Sequence, residues 1–361
     1  MEINIKKLLR KEAANIEKIQ WGELKEDEIR LLWGENPFTP VNVKKAIKQE
    51  LEKLNQYPDP QKINLREKIA TYNKVRKEDI FIGNGSDELI EIICKIFLNP
   101  GEEVIYPIPT FPTYGADTEL MGGIVREIPL DEKFKLNVDR LIEQINDKTK
   151  IIFIANPNNP TGNLLVSIDE VEKILQNYSG LLVIDECYFE LSGISAAPLI
   201  KKYENLLVLR SFSKSFGLAG LRVGYIISSE KLIDEIERVA NTLQPFNVNR
   251  IAQAAAVAAL DSIDKNVSKF LRLKKRFVKE LKNIEKIKVI DTKTTFLLIN
   301  LKDAGIAVAD FKEKMKANKI LVKNCSIYKN FPEGYAYLGV PSKKDFKYVT
   351  DSIKKIIQEQ N

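Results

Sequence analysis

Ile151-Ile152-Phe153-Ile154-Ala155, Leu181-Leu182-Val183-Ile184 and Leu206-Leu207-Val208-Leu209 are three short, unbroken apolar runs. Each gives way to polar or turn-forming residues: Asn156-Pro157-Asn158-Asn159-Pro160-Thr161-Gly162 after the first, Asp185 after the second, and Ser211-Phe212-Ser213-Lys214 shortly after the third. A run of this length without alternation reads as a strand buried on both faces, the kind found in parallel sheets. Working outward, further apolar runs at residues 80–82, 103–106 and 223–227 alternate with helical patterns. The expected class is therefore α/β: a large domain whose mostly parallel sheet is covered by helices on both faces.

Beyond residue 265 the pattern changes. A Lys-rich amphipathic helix is followed by a strand at 295–300, a helix at 308–317 and strands at 320–322 and 336–340, which predicts a smaller α+β domain. Two apolar-periodic helices, at 232–243 and 249–260 and split by Pro245, lie between the two regions. The expected division is an N-terminal segment over 1–40, packing on the small domain or a partner subunit, a large domain over 41–260 and a small domain over 261–361.

The polar residues at the strand ends matter most. Asn159, Asp185 and Lys214 are 26 and 29 residues apart, about one strand–helix–strand crossover, so parallel strands deliver all three to one edge, where open α/β sheets bind ligands. Taken singly, the Asn-Pro segment reads equally as a turn, Asp185 as a helix cap and Lys214 as a surface lysine. A fourth element precedes them: the strand at 80–82, then Gly83-Asn84-Gly85-Ser86-Asp87-Glu88, then a periodic helix. A glycine turn opening a helix presents free backbone N–H groups to an anion, phosphate being the natural guest, although Ser86 or Asp87 could simply cap the helix.

Composition narrows the chemistry. The chain has 361 residues and no histidine, which removes the commonest general base, the usual Ser and Cys catalytic pairings and the favoured zinc ligand. Lys, Asp, Glu, Tyr or a borrowed cofactor must serve. Cys94, Cys187 and Cys325 are scattered and odd in number, so neither a disulfide framework nor a metal cluster is expected. The net charge of +6 comes from dispersed lysines rather than basic runs interleaved with aromatics, so no nucleic-acid partner is expected. No apolar stretch approaches membrane-spanning length, and the basic, amphipathic opening at residues 1–20 lacks the apolar core of a signal peptide; a cytoplasmic protein without membrane contact is expected.

Ser211-Phe212-Ser213-Lys214-Ser215-Phe216-Gly217-Leu218-Ala219-Gly220-Leu221-Arg222-Val223-Gly224-Tyr225 is highly specific. With Glu35-Asn36-Pro37-Phe38, Tyr57-Pro58-Asp59, Pro109-Thr110-Phe111, Asp185-Glu186-Cys187-Tyr188 and the segments at 83–88 and 156–162, it resembles the fold-type-I pyridoxal-phosphate (PLP) aminotransferases, in the branch of histidinol-phosphate aminotransferase and threonine-phosphate decarboxylase. The resemblance runs from about residue 35 to the C-terminus. It implies that Lys214 carries PLP covalently through its amine and shuttles the reaction's proton, and that Asp185 pairs with the ring nitrogen. It further implies that Asn159 and Tyr188 bond the ring's phenolic oxygen, that Phe111 stacks on the ring, and that Gly85, Ser86, Asp87, Ser211 and Arg222 hold the phosphate. Tyr57 matches a tyrosine that reaches the neighbouring subunit's cofactor, which implies a homodimer. Asn36 matches a substrate-side residue, a turn role ahead of Pro37 being the other reading.

The pattern breaks near the C-terminus. Members of this branch carry a small-domain arginine that grips the substrate's anionic group; here Tyr337 stands at that position, Lys323 occupies a second basic position, and no arginine follows Arg276. Lysine pairs with phosphate as a point charge but lacks the planar fork. The expected reaction is amino transfer between an amino-acid-like, histidinol-phosphate-like amine and a 2-oxo acid, with Lys323 and Tyr337 as substrate anchors and no metal. A PLP decarboxylase, another PLP lyase or cyclase, or a non-catalytic ligand-binding relative are the alternatives.

Overall fold

The computed structural model describes residues 3–16 and 23–360; of the N-terminal segment, Met1, Glu2 and residues 17–22 therefore lie outside the described residues. A seven-stranded sheet dominates. In spatial order its strands are Ile80–Gly83, Gly224–Ile227, Leu206–Ser211, Leu181–Asp185, Thr149–Ala155, Glu103–Ile108 and Ile124–Pro129. Gly224–Ile227 runs antiparallel to both neighbours and the remaining pairings are parallel. Its reversal has a local cause: the connection from Ser211 contains only the short turn Ala219–Leu221, too little for the helical crossover that a parallel return demands.

Alternate residues of each strand feed opposite cores. Ile152, Ile154, Ile184 and Val208 face the helices that carry Val43, Leu65, Ile69, Val171 and Ala255. Ile151, Phe153, Val183 and Leu207 face those that carry Leu89, Ile93, Ile233 and Ile236. Burial on both sides explains the unbroken apolar runs, each such side chain contributing ~1.5–3 kcal/mol. The Ile124–Pro129 strand escapes that sequence signal because it lies at the sheet edge, with Ile124, Arg126 and Pro129 exposed.

A second, four-stranded antiparallel sheet has the order Lys323–Asn324, Tyr335–Gly339, Phe296–Asn300, Lys288–Ile290. Leu297, Ile299, Ala336 and Leu338 pack on the helices Ile263–Lys282, Val308–Ala317 and Phe346–Gln358. The opposite face presents Phe296, Leu298 and Tyr337 to Cys187, Tyr188, Tyr328 and Phe331. The expected strand at 320–322 is in fact divided: Ile320–Leu321 pairs in parallel with Ile29–Arg30, while Lys323 begins a strand of the four-stranded sheet. Among the described residues, no helix is long and apolar enough to cross a membrane.

Candidate active site

Register decides which side chains meet. Ala155 lies beside Asp185, Asp185 beside Leu209, and Ser211 beside Gly224, which itself faces Gly83. The loops after these strands therefore leave one edge of the sheet, and Asn159, Asp185, Lys214 and the turn at Gly83–Gly85 are delivered together.

The Asn-Pro segment is held by two of its three asparagines. Asn156 Nδ2 donates to the Val166 carbonyl (2.9 Å) and its Oδ1 accepts from Leu165 N–H (2.8 Å). Asn158 Nδ2 donates to the Pro109 carbonyl (2.9 Å) and Thr161 Oγ1 (2.8 Å), while its Oδ1 accepts from Thr110 Oγ1 (2.7 Å). Asn159 differs: its Oδ1 is buried with no hydrogen-bond partner. Native proteins seldom leave such an atom unmatched unless a ligand or water uses it.

Asp185 is 7% exposed and accepts one hydrogen bond on each oxygen, from Cys187 N–H (3.0 Å) and from the Tyr114 hydroxyl (2.7 Å). Burial pushes its carboxyl above the usual range, and the donors from Cys187 and Tyr114 oppose that push. Lys214 Nζ donates to the Trp33 carbonyl (3.0 Å) and stands 5.8 Å from the Tyr188 ring centre. Burial lowers its ammonium below the ordinary lysine value, which favours the neutral, nucleophilic amine. Tyr188 is buried and meets Phe296 edge-on at 5.9 Å, and Phe111 meets Tyr114 edge-on at 5.8 Å.

The helix Gly85–Phe97 opens at the same edge with Asn84 in the N-cap position and no side-chain cap bond, so Ser86 and Asp87 lie inside the first turn and neither is the cap. Gly85 has φ +86°, and a Cβ there would lie 2.5 Å from Arg222 Nη2; a Cβ on Gly224 would lie 2.9 Å from Ser86 N. These glycines let the backbone N–H groups and the guanidinium close around one small space. Arg222 pairs with Asp87 (2.9 Å) and donates to Ser213 Oγ (3.2 Å). With its carboxylate spent on Arg222, Asp87 offers an anion its backbone N–H rather than its side chain. Ser211 Oγ accepts from Ser213 N–H (3.1 Å).

The N-terminal segment crosses this space. Besides Trp33, Gly34 accepts from Thr295 Oγ1 (2.5 Å), and Asn36 spends its amide on the Ser215 carbonyl (2.9 Å) and the Phe38 N–H (3.0 Å). Asn36 thus ties the segment to the Lys214 loop and fills the turn role. Lys323 and Tyr337 are cross-strand partners. Lys323 Nζ donates to the Tyr328 hydroxyl (3.1 Å) and sits 5.0 Å from the Tyr337 ring centre. Burial, reinforced by the charge of Lys214, pulls the Lys323 ammonium down to about 8. Tyr337, 2% exposed and stacked on Phe296 at 4.1 Å, offers a ring face where an arginine would offer a fork. Tyr57 stands apart, 76% exposed and stacked on Phe246 at 4.4 Å. Sequence reasoning missed Trp33, Tyr114 and Tyr328; the spacing of Tyr114 three residues after Phe111 was the only available hint.

The aminotransferase class I and II family profile matches residues 24–333. Histidinol-phosphate aminotransferase from Thermoanaerobacter sp. (strain X514) is 37% identical over 331 residues, 90% of this chain and 92% of that protein. The protein of the same name from Methanocaldococcus jannaschii is 33% identical over 349 residues, 93% and 91% of the two chains. The fold matches that of histidinol-phosphate aminotransferase from Sinorhizobium meliloti in complex with pyridoxal-5'-phosphate, with a TM-score of 0.83 at 23% identity over 92% of each chain. The residues fit such a cofactor: an orphaned acceptor on Asn159, a buried carboxylate, an amine of lowered basicity, and a glycine cradle at a helix N-terminus. The chain belongs to the class I and II aminotransferases, enzymes that use PLP to move an amino group between an amino-acid-like compound and a 2-oxo acid.

Proposed function

We propose that this enzyme takes a phosphorylated, histidinol-phosphate-like amine as donor and a 2-oxo acid as acceptor, working as a cytoplasmic homodimer in which Tyr57 reaches the partner's cofactor. The observation that carries the reading is the gathering of Lys214, Asp185 and the Gly85 cradle at one sheet edge. Bound there, PLP supplies an electron sink for the pair of electrons left when a bond to the substrate's reacting carbon is broken. Lys214 is the residue that holds the cofactor and then moves the proton at its Nζ. Asp185 holds positive charge on the ring nitrogen, and Asn159 and Tyr188 hold the ring's phenolic oxygen. Phe111 covers one ring face. The N–H groups of Gly85, Ser86 and Asp87, with Ser211 and Arg222, hold the phosphate. The small-sheet face of Tyr328, Tyr337 and Lys323 closes the substrate side, Lys323 taking the donor's anionic group. The 37% identity to a histidinol-phosphate aminotransferase over 90% of the chain supports the choice of donor.

An amine screen with 2-oxoglutarate tests this, following glutamate formation against carbon dioxide release. Histidinol phosphate is expected to outperform histidinol in kcat/KM by at least ~10-fold, the size of one hydrogen bond to a charged group; equal use of both, or gas release without glutamate, overturns the reading. Because Lys323 has its ionisation depressed to about 8, its charge is present below that value and lost as pH rises through it. KM for a phosphorylated donor is therefore expected to climb above pH 8 at nearly constant kcat, and Lys323→Met should flatten that climb. Arg222→Ala is expected to weaken cofactor retention ~10-fold or more through loss of a charge-assisted donor, measured as PLP release on dilution, with a smaller effect on turnover of the reloaded enzyme.

A further inference from the structure

Tyr114 has a role that none of the motifs announces. Its ring is completely buried, stacked on Phe153 at 4.8 Å with 7° between planes and meeting Phe111 edge-on at 5.8 Å. Packing alone asks only for phenylalanine, which already stands at 153 in the same stack. A hydroxyl at zero exposure carries a desolvation cost unless it is paired. Its partner is Asp185 Oδ2, at 2.7 Å, while Oδ1 is taken by Cys187 N–H at 3.0 Å. One donor on each oxygen, one from the strand's own continuation and one from the helix Thr113–Leu120, fixes the carboxylate plane and leaves its remaining lone pairs for a further partner. Gly115 lets that helix approach, since a Cβ there would fall 2.4 Å from the Tyr106 hydroxyl.

We infer that Tyr114 is a positioning residue that holds Asp185 ionised and oriented toward the cofactor's ring nitrogen. The hydroxyl stabilises the charged carboxylate against the burial that otherwise favours its neutral form, while burial, reinforced by the carboxylate's negative charge, holds the phenol well above its ordinary value. Without the hydroxyl, Asp185 keeps only the donors from Cys187 and turns neutral more readily. It then holds a protonated ring nitrogen less well. The inference rests on Asp185 as the partner of that nitrogen, and the test separates the two.

Tyr114→Phe, Asp185→Asn and the double variant are loaded with PLP labelled with 15N in the ring. Tyr114→Phe changes no packed volume, and its thermal unfolding midpoint serves as the check on folding. It is expected to move the 15N shift toward the unprotonated value, raise the rate of cofactor loss and lower kcat by about tenfold, the size of one hydrogen bond to a charge, at little change in KM. Asp185→Asn is expected to do more of the same, and adding Tyr114→Phe to it is expected to change cofactor loss less than about twofold, because the hydroxyl acts through the missing charge. An unmoved 15N shift in Tyr114→Phe, or the same fold-loss in both backgrounds, overturns the inference while leaving Asp185 in place. An unmoved shift in Asp185→Asn overturns both.

Discussion

Lys214→Ala is expected to yield a folded protein that has lost the yellow absorption of the lysine-bound cofactor and at least ~10³–10⁴-fold of its amino transfer, the span associated with removing a positioned acid–base group. Among the described residues, no other amine is placed to substitute. Lys323 lies close enough for the two charges to interact, but its Nζ is held by the Tyr328 hydroxyl and faces the Tyr337 ring on the small-sheet side. Folding should not suffer, since among the described residues the Lys214 amine donates to the Trp33 carbonyl alone, and burial already disfavours its charge. Absorbance of the purified variant together with single-turnover amino transfer checks this. A variant that keeps its colour and turns over would show that the nucleophile lies elsewhere.

The sequence announced the large sheet because burial on both faces leaves an unbroken apolar run, as at Ile151–Ala155 and Leu206–Leu209, and because each run ends where a loop must carry polar groups. The edge strand Ile124–Pro129 and the reversed direction of Gly224–Ile227 were not legible. The first is half solvated and charged; the second depends on how much chain is left for the return from Ser211. The site divides in the same way. Asn159, Asp185 and Lys214 were readable because strand ends give them fixed positions, and the glycine cradle because only glycine tolerates the approach of Arg222 to Gly85.

Residues that arrive by packing were silent. Trp33 enters through a backbone carbonyl, which any residue possesses, and Tyr328 through a fold-back of the small domain that no periodicity encodes. Asn156 and Asn158 were indistinguishable from Asn159 in the sequence, and only the hydrogen bonds tell the two that lock the loop from the one whose Oδ1 has no partner. The absence of an arginine after Arg276 was readable at once. Its consequence was not, because it required seeing Tyr337 stacked flat on Phe296 and Lys323 brought beside Lys214 in charge.

That arrangement gives the second large effect its form. Asp185→Ala is expected to lower kcat by ~10²–10⁴-fold, comparable to losing a positioned charge in a water-excluded site, while weakening PLP binding far less. The division follows from where the contacts are. In the proposed arrangement the phosphate cradle at Gly85, Ser86 and Arg222 and the covalent hold of Lys214 do not depend on Asp185, so retention falls much less than turnover. Electron withdrawal by the ring depends on a positive nitrogen, and in the proposed arrangement the buried carboxylate, held by Cys187 N–H and Tyr114, is the group that maintains it. Alanine also leaves the Tyr114 hydroxyl without its acceptor in a fully buried place, so a moderate loss of stability, ~1–3 kcal/mol, should accompany the loss of turnover. Denaturant unfolding of the cofactor-free protein measures that loss separately. Should PLP affinity fall as steeply as kcat, Asp185 would be holding the ring in place rather than tuning its electrons, and the cradle would be a weaker anchor than its geometry implies.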